Sequence, residues 1–134
     1  MKNMYKILVV EDEKLLSEMY EDKFSQSGFL VVMANSAEEG FKLLEKERPD
    51  LILLDILLPQ ENGIQFLKRI KDIPEISKIP VIVFSNYDDP ETKKKAFDLG
   101  ARDYLIKTNF TPTEIVGKIK NFLDKLDSGL DTVS

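Results

Sequence analysis

The sequence predicts an α/β domain: a doubly wound, five-stranded parallel sheet with helices on both faces. Three observations carry that expectation. Short apolar runs recur without alternating with polar residues, as strands buried on both faces require. Between them lie segments with apolar residues at helical spacing, bounded by capping and stop signals. The runs begin near positions 6, 30, 51, 80 and 103, the rhythm of repeated strand-helix-strand units.

Ile7-Leu8-Val9-Val10 reads as the first strand, and Leu16, Met19, Tyr20 and Phe24 line a first helix that Gly28 ends. Leu30-Val31-Val32-Met33 is the second strand. Ser36-Ala37-Glu38-Glu39 has the form of a capping box, opening a helix with Ala37, Gly40, Phe41 and Leu44 on one face. Leu51-Ile52-Leu53-Leu54 is the third strand and the most apolar. A third helix runs from about Gly63 to Lys71, with Ile64, Leu67 and Ile70 inward. Val81-Ile82-Val83-Phe84 is the fourth strand, Asp89-Pro90 opens the fourth helix, and Gly100 closes it. The weaker run Tyr104-Leu105-Ile106 is the fifth strand. Thr111-Pro112-Thr113-Glu114 caps a fifth helix carrying Ile115, Ile119, Phe122, Leu123 and Leu126. One domain therefore spans 1–126, and residues 127–134, which lack periodicity, are expected to form a flexible tail.

Composition narrows the chemistry. At 134 residues and 43% hydrophobic, the chain can bury a full core. The longest apolar run, Phe29 to Ala34, is far short of the ~20 residues needed to cross a bilayer. No secretory signal is visible in Met1 to Lys6, so the expected location is the cytoplasm. With no cysteine and no histidine, disulfides, thiol chemistry, thiolate-ligated zinc and a histidine general base are all excluded. Nineteen basic against 24 acidic residues, net −5, disfavour general nucleic-acid binding. Chemistry must run on carboxylates, lysines and hydroxyls.

In open α/β sheets, sites form outside the carboxyl ends of the strands. The residues there are Glu11-Asp12 after the first strand, Asp55 after the third, Ser85 after the fourth and Lys107 after the fifth. Each alone reads as a turn former, and Asp12 as a cap of the first helix. Together they pose an electrostatic problem, because carboxylates a few Å apart repel by about 1–4 kcal/mol per pair. A divalent cation would compensate, helped by Lys107. An oxygen-only donor set favours a hard ion, Mg²⁺ with Mn²⁺ as substitute. Such a site suits phosphoryl transfer to a carboxylate. Asp55 is the candidate nucleophile, Glu11 and Asp12 suit the ion, and Ser85 and Lys107 suit the phosphoryl oxygens.

From about Lys6 to Leu126, these residues resemble a response-regulator receiver domain, similar to the chemotaxis response regulator. The acidic pair Glu11-Asp12 is similar to the family's metal-binding pair. Asp55-Ile56-Leu57-Leu58-Pro59, followed by Gly63, resembles its phosphorylation loop, and Ser85 stands at its Ser/Thr position. Gly100 to Lys107 resembles its fifth-strand motif, ending in lysine. The resemblance implies a flavodoxin-like sheet of order 2-1-3-4-5 with five helices. It implies that Asp55 takes a phosphoryl group from a sensor histidine kinase or a histidine phosphotransfer protein. Mg²⁺ would be held by Glu11 or Asp12, by Asp55 and by the backbone carbonyl of Leu57, and Ser85 and Tyr104 would form a switch pair. It further implies a signalling phosphoacceptor with only intrinsic phosphorylation and dephosphorylation chemistry, not a metabolic enzyme. The downstream protein target would meet the fourth helix, fifth strand and fifth helix, with no direct nucleic-acid contact and no membrane insertion.

Two positions depart from the family pattern: Thr108 follows Lys107 where proline is usual, and Asn86 follows Ser85 where a smaller residue is common. Leu57 and Tyr87, each two positions past a site residue, are expected to shield the phosphoryl group from water. The basic run Lys93-Lys94-Lys95 reads as a solvated helix face or as a contact for an acidic target. Three other functions compete. A flavin or nucleotide binder would need a glycine-rich first turn, whereas the chain has Glu11-Asp12-Glu13. An aspartyl-phosphate hydrolase would want an acid where Leu57 stands. A degenerate receiver would serve as a phosphorylation-independent binding module. With no output module visible after the fifth helix, the expectation is a stand-alone regulator.

Overall fold

The computed structural model describes residues 4–129. Five strands, β1 (Lys6–Val10), β2 (Leu30–Ala34), β3 (Leu51–Leu54), β4 (Val81–Ser85) and β5 (Asp103–Ile106), form one parallel sheet of order β2-β1-β3-β4-β5. They are connected by helices α1 (Lys14–Gln26), α2 (Ala37–Glu47), α3 (Gly63–Lys71), α4 (Pro74–Ser77) and α5 (Pro90–Asp98). A short 3₁₀ turn, Lys107–Asn109, and α6 (Pro112–Asp127) follow β5. The four-residue α4 lies within what reads in the sequence as one connection, because its apolar content is a single buried residue, Ile76. The fourth and fifth helices of the sequence reading are thus α5 and α6.

The unbroken apolar runs are explained by two cores, one on each side of the sheet. Leu8, Val10, Ile52, Leu54 and Val83 face α2, α3, α4 and α5, where Leu44, Phe66, Leu67, Ile70 and Ala96 meet them. Ile7, Val9, Leu51, Leu53 and Ile82 face α1 and α6, against Tyr20, Phe24, Ile115, Ile119 and Leu123. Period-two side-chain alternation therefore sends every second residue of an apolar run into a different core.

The caps follow the sequence with two differences. Thr111 and Glu114 make a full capping box, as does the pair Asn62 and Gln65, and Asp89 caps α5. Ser36 accepts from the Glu39 amide as expected, but the Glu39 carboxylate reaches back to the Asn35 amide instead of closing the box. Asp12 does not cap α1; Glu13 occupies that position, with no side-chain bond to the helix. Gly28 and Gly100 take the positive φ angles (94° and 100°) that helix-ending turns favour. The helix α6 runs through Asp127, and residues 130–134 of the expected tail lie outside the described residues, as do 1–3 of the N-terminus. Among the described residues no helix is long and apolar enough to cross a membrane.

Candidate functional site

Sheet register brings the chemistry to one edge. Val10 pairs with Leu54, and Ser85 pairs with Ile106. Glu11, Asp55 and Lys107 therefore each stand one step past a strand end, on three different strands. Backbone bonds extend the ladder to hold them: Glu11 N–H donates to the Ala34 carbonyl at 2.9 Å, and Asp55 N–H to the Val10 carbonyl at 3.1 Å. The loop after Asp55 is closed by Gly63, whose N–H donates to the Ile56 carbonyl at 2.9 Å. Only glycine fits there, since a β-carbon would sit 2.7 Å from the Asp55 carbonyl oxygen and 2.8 Å from the Ile56 Cα.

One carboxylate oxygen from each of Glu11, Asp12 and Asp55 lies within 4.8 Å of the others. Lys107 reaches in from β5, its Nζ donating to Asp55 Oδ2 at 2.8 Å and to Glu11 Oε1. Glu11 Oε2 accepts the Glu13 amide, and Asp55 Oδ1 accepts the Leu57 amide. Glu11, Asp55, Ser85 and Lys107 are all buried polar residues, whereas Asp12 is exposed. Both Glu11 oxygens are thus occupied within the protein, which leaves Asp12 the more accessible member of the acidic pair.

Burial pushes the Glu11 carboxyl above its ordinary range, against the opposing pull of the Lys107 hydrogen bond and charge. For Lys107 burial disfavours the ammonium, but hydrogen bonds and attraction from Asp55 and Glu11 outweigh it and raise its pKa. Three carboxylates against one ammonium leave an excess of negative charge at a site built only from oxygen donors. That combination fits a hard divalent cation.

Ser85 is fully buried at the end of β4, its Oγ accepting the Tyr87 amide at 3.2 Å. Tyr104 on β5 is buried, its hydroxyl donating to the Tyr87 carbonyl. Burial, followed by the negative charge of Asp55, raises its pKa to about 12, so the phenol stays a neutral donor. Leu57 (54% exposed) and Tyr87 (40%), each two residues past a site residue, present apolar surface to solvent. The Lys107–Thr108 peptide is trans, since no cis bond occurs among the described residues, and the lysine still reaches Asp55.

Of the residues selected from the sequence, Glu11, Asp12, Asp55 and Lys107 meet at this edge, and Ser85 and Tyr104 are joined to each other through Tyr87. The sequence reading missed the role of the Tyr87 backbone, which joins Ser85 to Tyr104 through one amide and one carbonyl. A main-chain contact leaves no side-chain signature to find.

The model of the response regulator receiver domain matches residues 7–120. The chain belongs to the response-regulator receiver family. Among curated relatives, the phosphate regulon transcriptional regulatory protein PhoB of Escherichia coli is 37% identical over 121 residues, covering 90% of this chain and 52% of PhoB. The chain spans about half the length of the curated relatives it matches. Among solved structures, a CheY-like receiver domain protein from Methanospirillum hungatei superposes with a TM-score of 0.84 at 28% identity, covering 95% of this chain and 99% of that one. The Mn²⁺-bound form of response regulator Rcp1 gives 0.78 at 26% identity, covering 97% of each. Receiver domains of this family are signalling phosphoacceptors of two-component systems, not classical enzymes.

Proposed function

We propose that this receiver domain accepts a phosphoryl group on Asp55 and uses the resulting charge to switch a protein-binding surface. The observation that carries the reading is the contact of Lys107 with Asp55 inside a ring of carboxylates from Glu11, Asp12 and Asp55. The donor would be a phosphohistidine of a sensor kinase or a phosphotransfer protein, and the setting the cytoplasm. Glu11, Asp12, Asp55 and the Leu57 carbonyl are the groups that would hold Mg²⁺, or Mn²⁺ in its place. Support comes from the donor chemistry and from Rcp1, whose structure was solved with Mn²⁺. Bound there, the ion would neutralise phosphoryl oxygens as they approach the acids.

In the transfer step an Asp55 oxygen forms a bond to phosphorus as the donor's P–N bond breaks, the imidazole leaving with the bonding pair. Lys107, already against Asp55, compensates charge on one phosphoryl oxygen. Ser85 Oγ accepts the Tyr87 amide, so its own proton is the one to give to another phosphoryl oxygen. Water attack on the acyl phosphate is opposed by Leu57 and Tyr87.

Switching would act through the line from Ser85 through Tyr87 to Tyr104. A new dianion at Asp55 draws the Ser85 hydroxyl, and the segment after β4 must move with it, carrying the carbonyl that Tyr104 holds. The surface that responds is α5, β5 and α6. On it, Lys93 pairs with Asp88 and Lys94 with Asp98, so the basic run is partly neutralised from within, while Phe97 is 48% exposed. The domain would act by protein contact, with no direct hold on nucleic acid. Incubation with acetyl phosphate and Mg²⁺ followed by intact mass measurement tests the reading: the parent gains one phosphoryl group and Asp55→Asn gains none. No added mass in the parent would favour a phosphorylation-independent binding module instead.

A further inference from the structure

The loops that follow Ser85 and Lys107 are joined by one hydrogen bond that neither the strand ladder nor a helix supplies. The Thr108 amide donates to Asn86 Oδ1 at 3.1 Å. Thr108 is the second residue of the 3₁₀ turn Lys107–Asn109, which is closed by the Phe110 amide donating to the Lys107 carbonyl at 3.2 Å. The first amides of a helical turn have no acceptor within it, so Asn86 acts as a cap supplied from another loop. The β4–β5 register ends at Ser85 opposite Ile106, and this bond ties the two segments again one residue past Ser85 and two past Ile106. Ser85 and Lys107 are buried, whereas Asn86 and Thr108 are exposed, so the bond lies at the rim of the site with both phosphoryl-facing residues directly behind it.

These two positions are also the two at which the sequence departs from the receiver pattern, and the departures are complementary. A proline at 108 would have no N–H to give, and a small side chain at 86 would have no oxygen to receive it. We propose that Asn86 and the Thr108 amide form a clamp that fixes Lys107 and Ser85 relative to each other. Asn86 is thereby a positioning residue for phosphoryl transfer. The clamp replaces the stiffness of a proline with a contact between loops. Its functional half rests on the phosphoacceptor reading above.

The test combines amide hydrogen exchange at Thr108, read by NMR, with the rate of phosphorylation of the full chain by acetyl phosphate at saturating Mg²⁺. In Asn86→Ala the Thr108 amide exchanges about tenfold faster and phosphorylation slows about three- to tenfold, the range that one net hydrogen bond sets. Half-saturation by Mg²⁺ stays where it was, since the carboxylates lie on β1 and β3. Asn86→Asp, which keeps an acceptor, and Thr108→Ala, which keeps the amide, both retain the slow exchange. Unchanged Thr108 exchange in Asn86→Ala overturns the clamp. Faster exchange with an unchanged phosphorylation rate overturns its positioning role. A parent protein that takes no phosphoryl group overturns the phosphoacceptor reading and that positioning role with it, while the exchange data still decide whether the bond exists.

Discussion

Replacing Gly63 by alanine tests how tightly the loop after Asp55 is packed, because the new methyl meets backbone in place of movable side chains. Its carbon would lie 2.7 Å from the Asp55 carbonyl oxygen, 2.8 Å from Ile56 Cα and 2.9 Å from Ile56 Cδ1. Ile56 Cδ1 can turn away, but the other two contacts need the loop and the start of α3 to separate by roughly 0.7 Å to reach van der Waals distance. That movement also stretches the 2.9 Å bond from the Gly63 amide to the Ile56 carbonyl. Overpacking of this kind costs about 1–3 kcal/mol. Alanine returns at most about 1 kcal/mol through its better helix propensity, and less at the first helical position. The expected net loss is about 1–2 kcal/mol. Urea denaturation reads it as a midpoint lowered at constant slope, by about 0.5–1 M for a slope near 2 kcal/mol per M. Because the displaced atoms belong to Asp55 and its neighbour, phosphorylation by acetyl phosphate slows as well. A Gly63→Ala protein as stable as the parent, or more stable, refutes the packing argument.

Three further outcomes are expected. Lys107→Met leaves Glu11 and Asp55 buried without their cation, at a cost of about 3 kcal/mol in a metal-free buffer; added Mg²⁺ recovers more stability in the variant than in the parent, and equal recovery in both would contradict the charge balance described here. Leu57→Ala with Tyr87→Ala removes the two exposed apolar side chains proposed to shield the phosphoryl group, so the acyl phosphate decays faster in a phosphate-release assay; a lifetime unchanged or lengthened refutes the shielding role. Burial, aided by the hydrogen bond to Asp124, raises the Tyr5 hydroxyl to about 12. A phenol whose pKa is raised on folding stabilises the fold fully below its unfolded value of about 10, and loses that contribution as pH rises through 12. Tyr5→Phe should therefore show a shallower fall in unfolding midpoint between pH 10 and 12 than the parent, and parallel curves would reject the assignment.

The sequence exposed the fold because both of its periodicities are undiluted. Runs such as Leu51-Ile52-Leu53-Leu54 have no polar position, and a strand with cores on both faces demands that. The site was legible for a related reason: a parallel sheet places all its strand ends on one edge, so reading the residue after each run collected Glu11, Asp55, Ser85 and Lys107 without three-dimensional information. What escaped were contacts in which one partner is main chain. Asn86 and Thr108 were visible only as two separate departures from a pattern, 22 residues apart, and their relation is a side-chain oxygen on a backbone amide. The same holds for the Tyr87 carbonyl beneath Tyr104 and for the Asp55 carbonyl beneath Gly63. Side-chain chemistry leaves a residue type to read, whereas a backbone group is present at every position and marks none. The residues proposed to supply chemistry here are therefore those a sequence reader finds, and the residues proposed to aim it show themselves only in the fold. Asn86 belongs to the second class, which is why its variant should alter the rate of transfer without altering the set of groups that perform it.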